Sequence, residues 1–129
     1  MLQPGLEASV DQTVTEQMTA AALGSGNVPV LGTPAVVALV ERAACAAVQG
    51  RLEPGLTSVG SSVDLIHLAP TPVGTQVTAM ARLLNVEGRT LTFEIEVRDR
   101  GGAVARGTHR RVVVDRERFL SGAANRTSG

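Results

Sequence analysis

The most regular pattern along the chain is an apolar block with few polar interruptions, which predicts a single long helix. Thr33 followed by Pro34 is typical of a helix start, because threonine caps the first turn and proline suits the first helical position. The alanine- and valine-rich segment then runs to Gly50, and a glycine there favours the end of the helix. A helix with so little polar surface is expected to be buried.

The remaining pattern alternates between apolar and polar positions with the two-residue period of β-strands. One strand is expected before the helix, at residues 6–19. Four more are expected after it, at residues 57–68, 75–86, 90–99 and 103–115. Short turns separate these four segments, which favours an antiparallel meander.

One apolar helix and one run of strands predict an α+β protein with the hot-dog fold, in which a five-stranded antiparallel sheet wraps around one long buried helix. Residues 1–120 would form this single domain, and residues 121–129 are expected to be a disordered tail. One sheet cannot cover a helix that is apolar on all sides, so the remaining face needs a partner. We therefore expect a homodimer, with a tetramer as the next possible assembly.

Composition narrows the function further. The 12 basic residues are all arginine and balance 12 acidic residues, and the chain has two phenylalanines but no tryptophan or tyrosine. Without a basic surplus or stacking aromatic residues, nucleic-acid binding is not expected. The two histidines and Cys45 are too widely spaced for a zinc site, so no metal is expected. No cofactor is expected either. Cys45 is interpreted as a small apolar filler of the helix.

The cysteine count, the first residues and the lengths of the apolar runs indicate the cellular compartment. A single cysteine allows no disulfide within the chain, and the first residues show no signal-peptide pattern. No apolar run approaches the ~20 residues that a membrane-spanning helix needs. These features indicate a cytoplasmic protein that does not act at a membrane.

Glu41 is the most informative polar residue. On a helical wheel it shares a stripe with Val37, Ala44 and Val48, and no residue three or four positions away can pair with it. An unpaired carboxylate on an apolar stripe is costly, and such groups cluster at active sites. The alternatives are an ion pair with an arginine of a strand, or partial exposure beside Arg42.

Five other residues could carry chemistry. Thr33 is either an ordinary helix cap or a hydroxyl at the positive end of the helix, where backbone N–H groups could hold an oxyanion. His67 ends a predicted strand, and Gly60 interrupts the same strand, which indicates a bulge or a close backbone approach. Arg111 could pair with a carboxylate or with a substrate phosphate. His109 is expected to be a structural residue that hydrogen-bonds to a neighbour.

The chain resembles the fluoroacetyl-CoA thioesterase family, a branch of the hot-dog superfamily, in four segments: LGTPAVVALVERAA, VGSSVDLIHLAPTPVG, VEGRTL and GTHRRVVVDRERF. The resemblance spans residues 5–119. Its most specific parts are the Thr-x7-Glu spacing into the helix, the HxAxTPxG loop and the GTHxR strand. Each part is weak alone, but the same order of all of them is hard to obtain by chance.

This resemblance implies an acyl-CoA thioesterase whose pockets form at a homodimer interface. It makes Thr33 the active-site threonine, Glu41 the nucleophile or general base, and His67 the histidine that activates water for deacylation. It also implies that the Gly60 backbone N–H helps to hold the thioester carbonyl. Arg111 would support the glutamate or the substrate.

One segment departs from the family pattern. The fluoroacetyl-CoA enzyme closes its pocket with aromatic residues before the threonine, whereas this chain has LGSGNVPVLG there, with no aromatic residue. The expected substrate is therefore an ordinary acyl-CoA, or a thioester of an acyl carrier protein; the resemblance is carried over to thioester hydrolysis but not to fluoroacetate resistance, and whether fluoroacetyl-CoA is also a substrate stays open. The alternatives are a hot-dog dimer that binds acyl-CoA or another small ligand without turnover, and an enoyl-CoA dehydratase, whose family lacks the GTHxR and HxAxTPxG motifs.

Overall fold

The computed structural model describes residues 2–128 and contains one sheet, one long helix, a short helix just before it and another helix near the C-terminus. A 3-10 turn, Glu16–Met18, follows the first strand. The strands are β1 (Glu7–Thr13), β2 (Leu56–His67), β3 (Gln76–Glu87), β4 (Thr90–Asp99) and β5 (Gly102–Asp115), and the helices are α1 (Ala20–Leu23), α2 (Thr33–Val48) and α3 (Arg116–Thr127).

The five strands form one antiparallel sheet in the order β1-β3-β4-β5-β2. The predicted strand positions are confirmed to within a residue or two after the helix, whereas the first strand ends at Thr13, earlier than predicted. The predicted four-stranded meander is wrong, because β2 pairs with β5 at one edge of the sheet and only β3, β4 and β5 follow in sequence. The segment after His67 therefore crosses from one edge of the sheet to its interior.

Helix α2 packs against one face of the sheet, mainly on β1 and β3. Valine, leucine and alanine side chains of its buried face join the apolar residues of β3 and β4 in one core. The opposite face is open in this single chain, as expected for a helix that one sheet cannot cover on all sides. Its exposed side chains include Ala38, Arg42, Cys45 and Gln49, so Cys45 is not the buried filler that its neighbours suggested.

The C-terminal segment also differs from the expectation. Residues 121–129 were expected to be a disordered tail, whereas α3 continues through Thr127 and Gly129 lies outside the described residues. The helix begins because the Asp115 side chain accepts a hydrogen bond from the Arg118 backbone N–H, which caps its first turn. None of its residues is buried, so α3 rests on local hydrogen bonds and not on the core. Within residues 2–128, no helix is long and apolar enough to cross a membrane.

Gly107 allows β2 to lie against β5. A Cβ at this position would overlap the Asp64 carbonyl oxygen and come within 2.6 Å of the Leu65 Cα atom, both in the backbone of β2. Backbone atoms held in a ladder cannot rotate away as a side chain would. The close pairing of the two strands thus requires glycine here.

We expect Gly107→Ala to lower the free energy of unfolding by about 1–3 kcal/mol, because the added methyl group overpacks the β2–β5 ladder. Urea unfolding followed by circular dichroism measures this change. Gly122→Ala in α3 is the matched control, since a Cβ there meets no atom within 4 Å. Equal stability of Gly107→Ala and the wild type would show that the ladder adjusts without cost.

Candidate active site

Thr33 and His67 meet where the start of α2 faces the end of β2. The Thr33 Oγ1 and His67 Nδ1 atoms are 2.9 Å apart, within hydrogen-bond distance. The residue that caps α2 is Gly32, and Thr33 is the first residue inside the helix. The expectation that Thr33 caps the helix is therefore wrong, because its hydroxyl bonds to the imidazole and not to the helix backbone.

The loop after His67 holds this pair together. Thr71, which is fully buried, accepts a hydrogen bond at its carbonyl from the Leu31 backbone N–H (2.9 Å), two residues before Thr33. The Thr71 hydroxyl donates to the Asp99 carboxylate at 2.8 Å. The HxAxTPxG motif thus ties the approach to α2, the end of β2 and the β4–β5 turn to one another. Sequence reasoning quoted this motif but did not assign a role to Thr71.

The second ring nitrogen of His67 has no hydrogen-bond partner. His67 Nε2 is buried, and none of the residues 2–128 bonds to it. The His67 residue lines a hollow of about 290 Å³ together with Thr33, Leu31 and Pro70. A buried polar atom without a partner costs free energy, so this nitrogen is suited to bind a water molecule or a polar group of a ligand.

Glu41, in the middle of α2, forms an ion pair with Arg111 of β5. Arg111 Nη1 donates to Glu41 Oε2 at 3.2 Å. The Arg111 side chain is 6% exposed, whereas that of Glu41 is 39% exposed. Glu41 is thus not the buried, unpaired carboxylate that the helical wheel suggested. The alternative of an ion pair with a strand arginine is what the structure contains, and the exposed part of the carboxylate faces open space.

Gly60 lies against this carboxylate. A Cβ at Gly60 would overlap Glu41 Oε2 and come within 3.4 Å of Arg111 Nη1. The register between β2 and β5 shifts between Gly60 and Ser62, so the strand carries a bulge here. The bulge and the close approach predicted from the strand glycine are both present.

Two further residues hold Arg111: Ser58, which sequence reasoning did not select, and His109, which it interpreted as a structural residue. Ser58 on β2 accepts hydrogen bonds from Arg111 Nε at its hydroxyl (2.9 Å) and from Nη2 at its carbonyl (3.0 Å). His109 Nε2 is 3.2 Å from Arg111 Nη1. The two-residue period of β5 was the available signal, because it places His109 and Arg111 on the same face of the strand.

Glu41 and Arg111 line an open cleft of about 780 Å³ between α2, β1 and β2. The rest of its wall is mostly apolar, with polar groups from Arg42, Ser58 and Gln49. The apolar lining comprises Val10, Ala38, Cys45, Ala46, Val48, Leu52 and Leu56. This combination of an apolar wall and a few convergent polar groups is typical of a small-molecule site.

The two groups of candidate residues lie in separate hollows of one chain. Thr33 and Glu41 are eight residues apart on α2, which corresponds to about 12 Å along the helix axis. The structure therefore joins Thr33 to His67, and Glu41 to Gly60 and Arg111, but it does not join the two groups. Within residues 2–128, no three His, Cys, Asp or Glu side chains are placed to hold a metal ion.

Comparison with known proteins identifies the relatives of this chain. The family model described as fluoroacetyl-CoA-specific thioesterase matches residues 14–117. The fluoroacetyl-CoA thioesterase of Streptantibioticus cattleyicolor is 37% identical over 98 residues, which cover 76% of this chain and 70% of that protein. The chain belongs to the fluoroacetyl-CoA-specific thioesterase family. The expectation of a thioester hydrolase is confirmed.

Solved structures agree with this family assignment and confirm the hot-dog fold. A structure of the fluoroacetyl-CoA thioesterase FlK superposes with a TM-score of 0.92 at 31% identity and covers 98% of both chains. A thioesterase superfamily member from Thermus thermophilus gives a TM-score of 0.89 at 27% identity, over 97% of this chain and 93% of that one. A hot-dog-like protein from Thermanaerovibrio acidaminovorans shares the fold at 24% identity, with a TM-score of 0.91 over 99% and 95% of the two chains.

We expect Thr71→Val to loosen the connection that keeps Thr33 beside His67 in this thioesterase family member. Valine has nearly the same shape but leaves Asp99 Oδ2 without the donor that Thr71 supplies, which costs about 1–3 kcal/mol of unfolding free energy. Urea unfolding measures the cost, and hydrogen exchange at the Leu31 amide reports the local opening. Thr71→Ser keeps the hydroxyl and serves as the control. Wild-type values for Thr71→Val in both measurements would contradict this role.

Proposed function

We propose that this protein hydrolyses acyl-CoA thioesters in pockets that two copies of the chain complete together. Glu41 is the nucleophile or the general base, Thr33 and His67 assist the reaction, and Gly60 and Arg111 bind the substrate or support Glu41. The observation that carries this proposal is the Glu41 carboxylate, which is held by Arg111 on one side and open to the cleft on the other.

The hydrolysis of a thioester adds water across the bond between the acyl carbon and sulfur. The hydroxyl goes to the acyl carbon and the proton goes to the departing thiolate. A thiolate leaves readily, so the demanding tasks are to activate the attacking oxygen and to stabilise the oxyanion of the tetrahedral intermediate. Glu41 suits the first task, whether it attacks the carbon itself or takes a proton from water.

Arg111 and Gly60 suit the second task and the orientation of Glu41. The guanidinium bonds to Oε2, and none of the described side chains donates to the other carboxylate oxygen, which stays available for water or for the acyl carbon. The bulge at Gly60 brings the strand backbone close to the carboxylate without a side chain in between. A backbone N–H in such a position can donate to a thioester carbonyl as it gains negative charge.

Thr33 and His67 supply the complementary groups. Thr33 lies in the first turn of α2, where backbone N–H groups and the helix dipole favour negative charge. His67 bonds to Thr33 through Nδ1 and keeps Nε2 without a protein partner. The imidazole can thus pass a proton between Thr33 and a water molecule or a departing group.

A second copy of the chain is the means we propose to unite the two groups. β2 is an edge strand of 12 residues, and a long open edge can pair with another strand. If two β2 edges pair antiparallel about a two-fold axis between Val63 and Asp64, His67 of one copy comes opposite Gly60 of the other. That arrangement would bring the Thr33–His67 pair of one copy to the Glu41–Arg111 pair of its neighbour. A tetramer would require a further contact between such dimers.

The substrate that we propose is an acyl-CoA, with an acyl carrier protein thioester as the other possible carrier. A solved complex of a point mutant of FlK contains fluoroacetate and CoA. Here the segment before Thr33 carries no aromatic residue and is exposed from Leu23 to Pro29, so this segment supplies no aromatic side chain to close the small hollow. We propose ordinary acyl groups in place of fluoroacetyl, and the cytoplasm as the compartment.

We expect Glu41→Gln to lower kcat/KM for the best acyl-CoA by roughly 10²- to 10⁴-fold, because an amide can neither attack nor accept the proton. The measurement is the release of free thiol from a panel of acyl-CoAs, from acetyl to long-chain, and it includes fluoroacetyl-CoA. Glu94→Gln, the same change on an exposed residue of β4, is the control and should leave the rate unchanged. Binding of acyl-CoA without turnover by the wild type would favour a ligand-binding module instead.

Mixed dimers test the shared pocket. Glu41→Gln and His67→Ala proteins should each be nearly inactive as pure dimers. After unfolding and refolding together, about half of the dimers should be mixed, and each mixed dimer should hold one intact pocket, which restores about a quarter of wild-type activity. Sedimentation confirms that the mixture is dimeric. No restored activity would mean that Glu41 and His67 of the same chain act together, or that the active form is a monomer.

A further inference from the structure

We propose that His109, as a neutral imidazole, positions Arg111 against Glu41 and thereby makes this site sensitive to acid. His109 is a positioning residue in this proposal, since it reaches the carboxylate only through the guanidinium. The effect on catalysis rests on the proposed role of Glu41. The protonation state of the ring does not depend on that role.

The hydrogen bonds of His109 determine its protonation state. His109 Nδ1 lies 2.8 Å from the Ser62 carbonyl oxygen, which can only accept, so Nδ1 carries a proton. His109 Nε2 lies 3.2 Å from Arg111 Nη1, which can only donate, so Nε2 must offer its lone pair. An imidazole that donates at one nitrogen and accepts at the other is neutral.

The surroundings of His109 also favour the neutral ring. The residue is 1% exposed and stacks on Phe93 of β4, with ring centroids 6.0 Å apart. The charged groups that face it are Arg111 on its own strand and Glu41 from α2. Burial is the main cause that holds the pKa of His109 below its ordinary value of 6.5, and Arg111 adds to this effect. The Ser62 hydrogen bond and Glu41 act in the opposite direction.

The position of Arg111 depends on the acceptor that His109 Nε2 provides. Ser58 holds Nε and Nη2, so Nη1 is the nitrogen that both Glu41 and His109 bind. His109 accepts from the inner side of the guanidinium, and Glu41 accepts from the cleft side. Protonation of His109 would remove the inner acceptor and place a second cation 3.2 Å from Nη1. The guanidinium would then move away from the ring, and the geometry of the Glu41 carboxylate would change with it.

The sign of the pH effect follows from the lowered pKa. Because the folded protein binds this proton less readily than the unfolded chain, the neutral ring contributes its full stabilisation above about pH 6.5. The stabilisation is lost as the pH falls through the lower pKa of the folded state. Acid should therefore weaken both the fold and the Arg111–Glu41 pair through the same ring.

Two variants test this proposal. Glutamine keeps a side-chain carbonyl that can accept from Arg111 and does not titrate, whereas leucine removes the acceptor. We expect His109→Leu to lower kcat roughly 10- to 100-fold through the displaced guanidinium. We expect His109→Gln to stay within a few-fold of the wild type, while the part of the acid limb of the kcat–pH profile that comes from His109 disappears. If His109→Leu kept the wild-type kcat and the wild-type kcat–pH profile, the proposal would be overturned.

A measurement on the wild type separates this proposal from the proposed function and does not depend on whether a variant folds. Nitrogen-15 NMR of the imidazole rings, with His67→Ala to assign the only other histidine, should show His109 protonated at Nδ1 alone at pH 7. Its titration should lie below 6.5. A charged ring at pH 7, or titration at the ordinary value, would overturn the proposal even if acyl-CoA is hydrolysed. The expected result would stand even if no acyl-CoA is turned over.

Discussion

The constraint on which the site depends is that the sheet covers α2 from one side only. The face that carries Val36, Leu39, Val40 and Ala43 is sealed against the strands. The face that carries Glu41 looks into the cleft beside β2. A helix enclosed on all sides would leave no space for a substrate, and a helix laid on the outside would hold its carboxylate too far from β5. Because the sheet covers only one side, Glu41 projects from a helix that is fixed by the core. An arginine of a strand is within reach of its carboxylate, and the other side of the carboxylate is open.

Arg111 fixes the position of the Glu41 carboxylate on this partly covered helix. A nearly buried guanidinium is tolerable only when its donors are bonded, because an unpaired cation in the interior is strongly unfavourable. Ser58 binds two of the three nitrogens, and the third is shared between His109 and Glu41. The arginine is therefore fixed mainly by groups of β2 and β5, and the carboxylate binds to a cation that is already in place. This matters for the role that we propose for Glu41, since a carboxylate held in advance need not be arranged during a reaction.

The sequence predicted those features that repeat locally along the chain. The two-residue period located the four later strands, the apolar block between Thr33–Pro34 and Gly50 located α2, and Gly60 was recognisable because a glycine interrupted a strand. The strand order was not predictable in this way, because short turns do not reveal that β2 crosses to pair with β5. The exposure of Cys45 was missed for a related reason: a helical wheel gives the spacing of a stripe but not which stripe faces the sheet.

The side-chain pairs were hardest to predict, because they join distant parts of the chain. Thr33 has all the local features of a helix cap, yet its hydroxyl bonds to His67 because the end of β2 brings the ring within reach. Glu41 and Arg111 are 70 residues apart, so the local pattern around either one does not identify the other as its partner. His109 looked structural, and it is buried and hydrogen-bonded to Ser62 as a structural residue would be. Only the contact of its second nitrogen with Arg111 links it to Glu41.

The Glu41–Arg111 group and the Thr33–His67 group differ in how completely one chain supplies hydrogen-bond partners to their buried polar atoms. This difference bears on the proposed assembly. Around Glu41, each of the three side-chain nitrogens of Arg111 has an acceptor within the same chain. Around Thr33, His67 Nε2 is buried and lacks a partner among residues 2–128. A lone protomer therefore carries an unmet cost at His67 that a ligand, a water molecule or a neighbouring chain could remove. Since this nitrogen lies at the end of the open β2 edge, pairing of two such edges would bring new groups to it at the same moment as it completes the pocket.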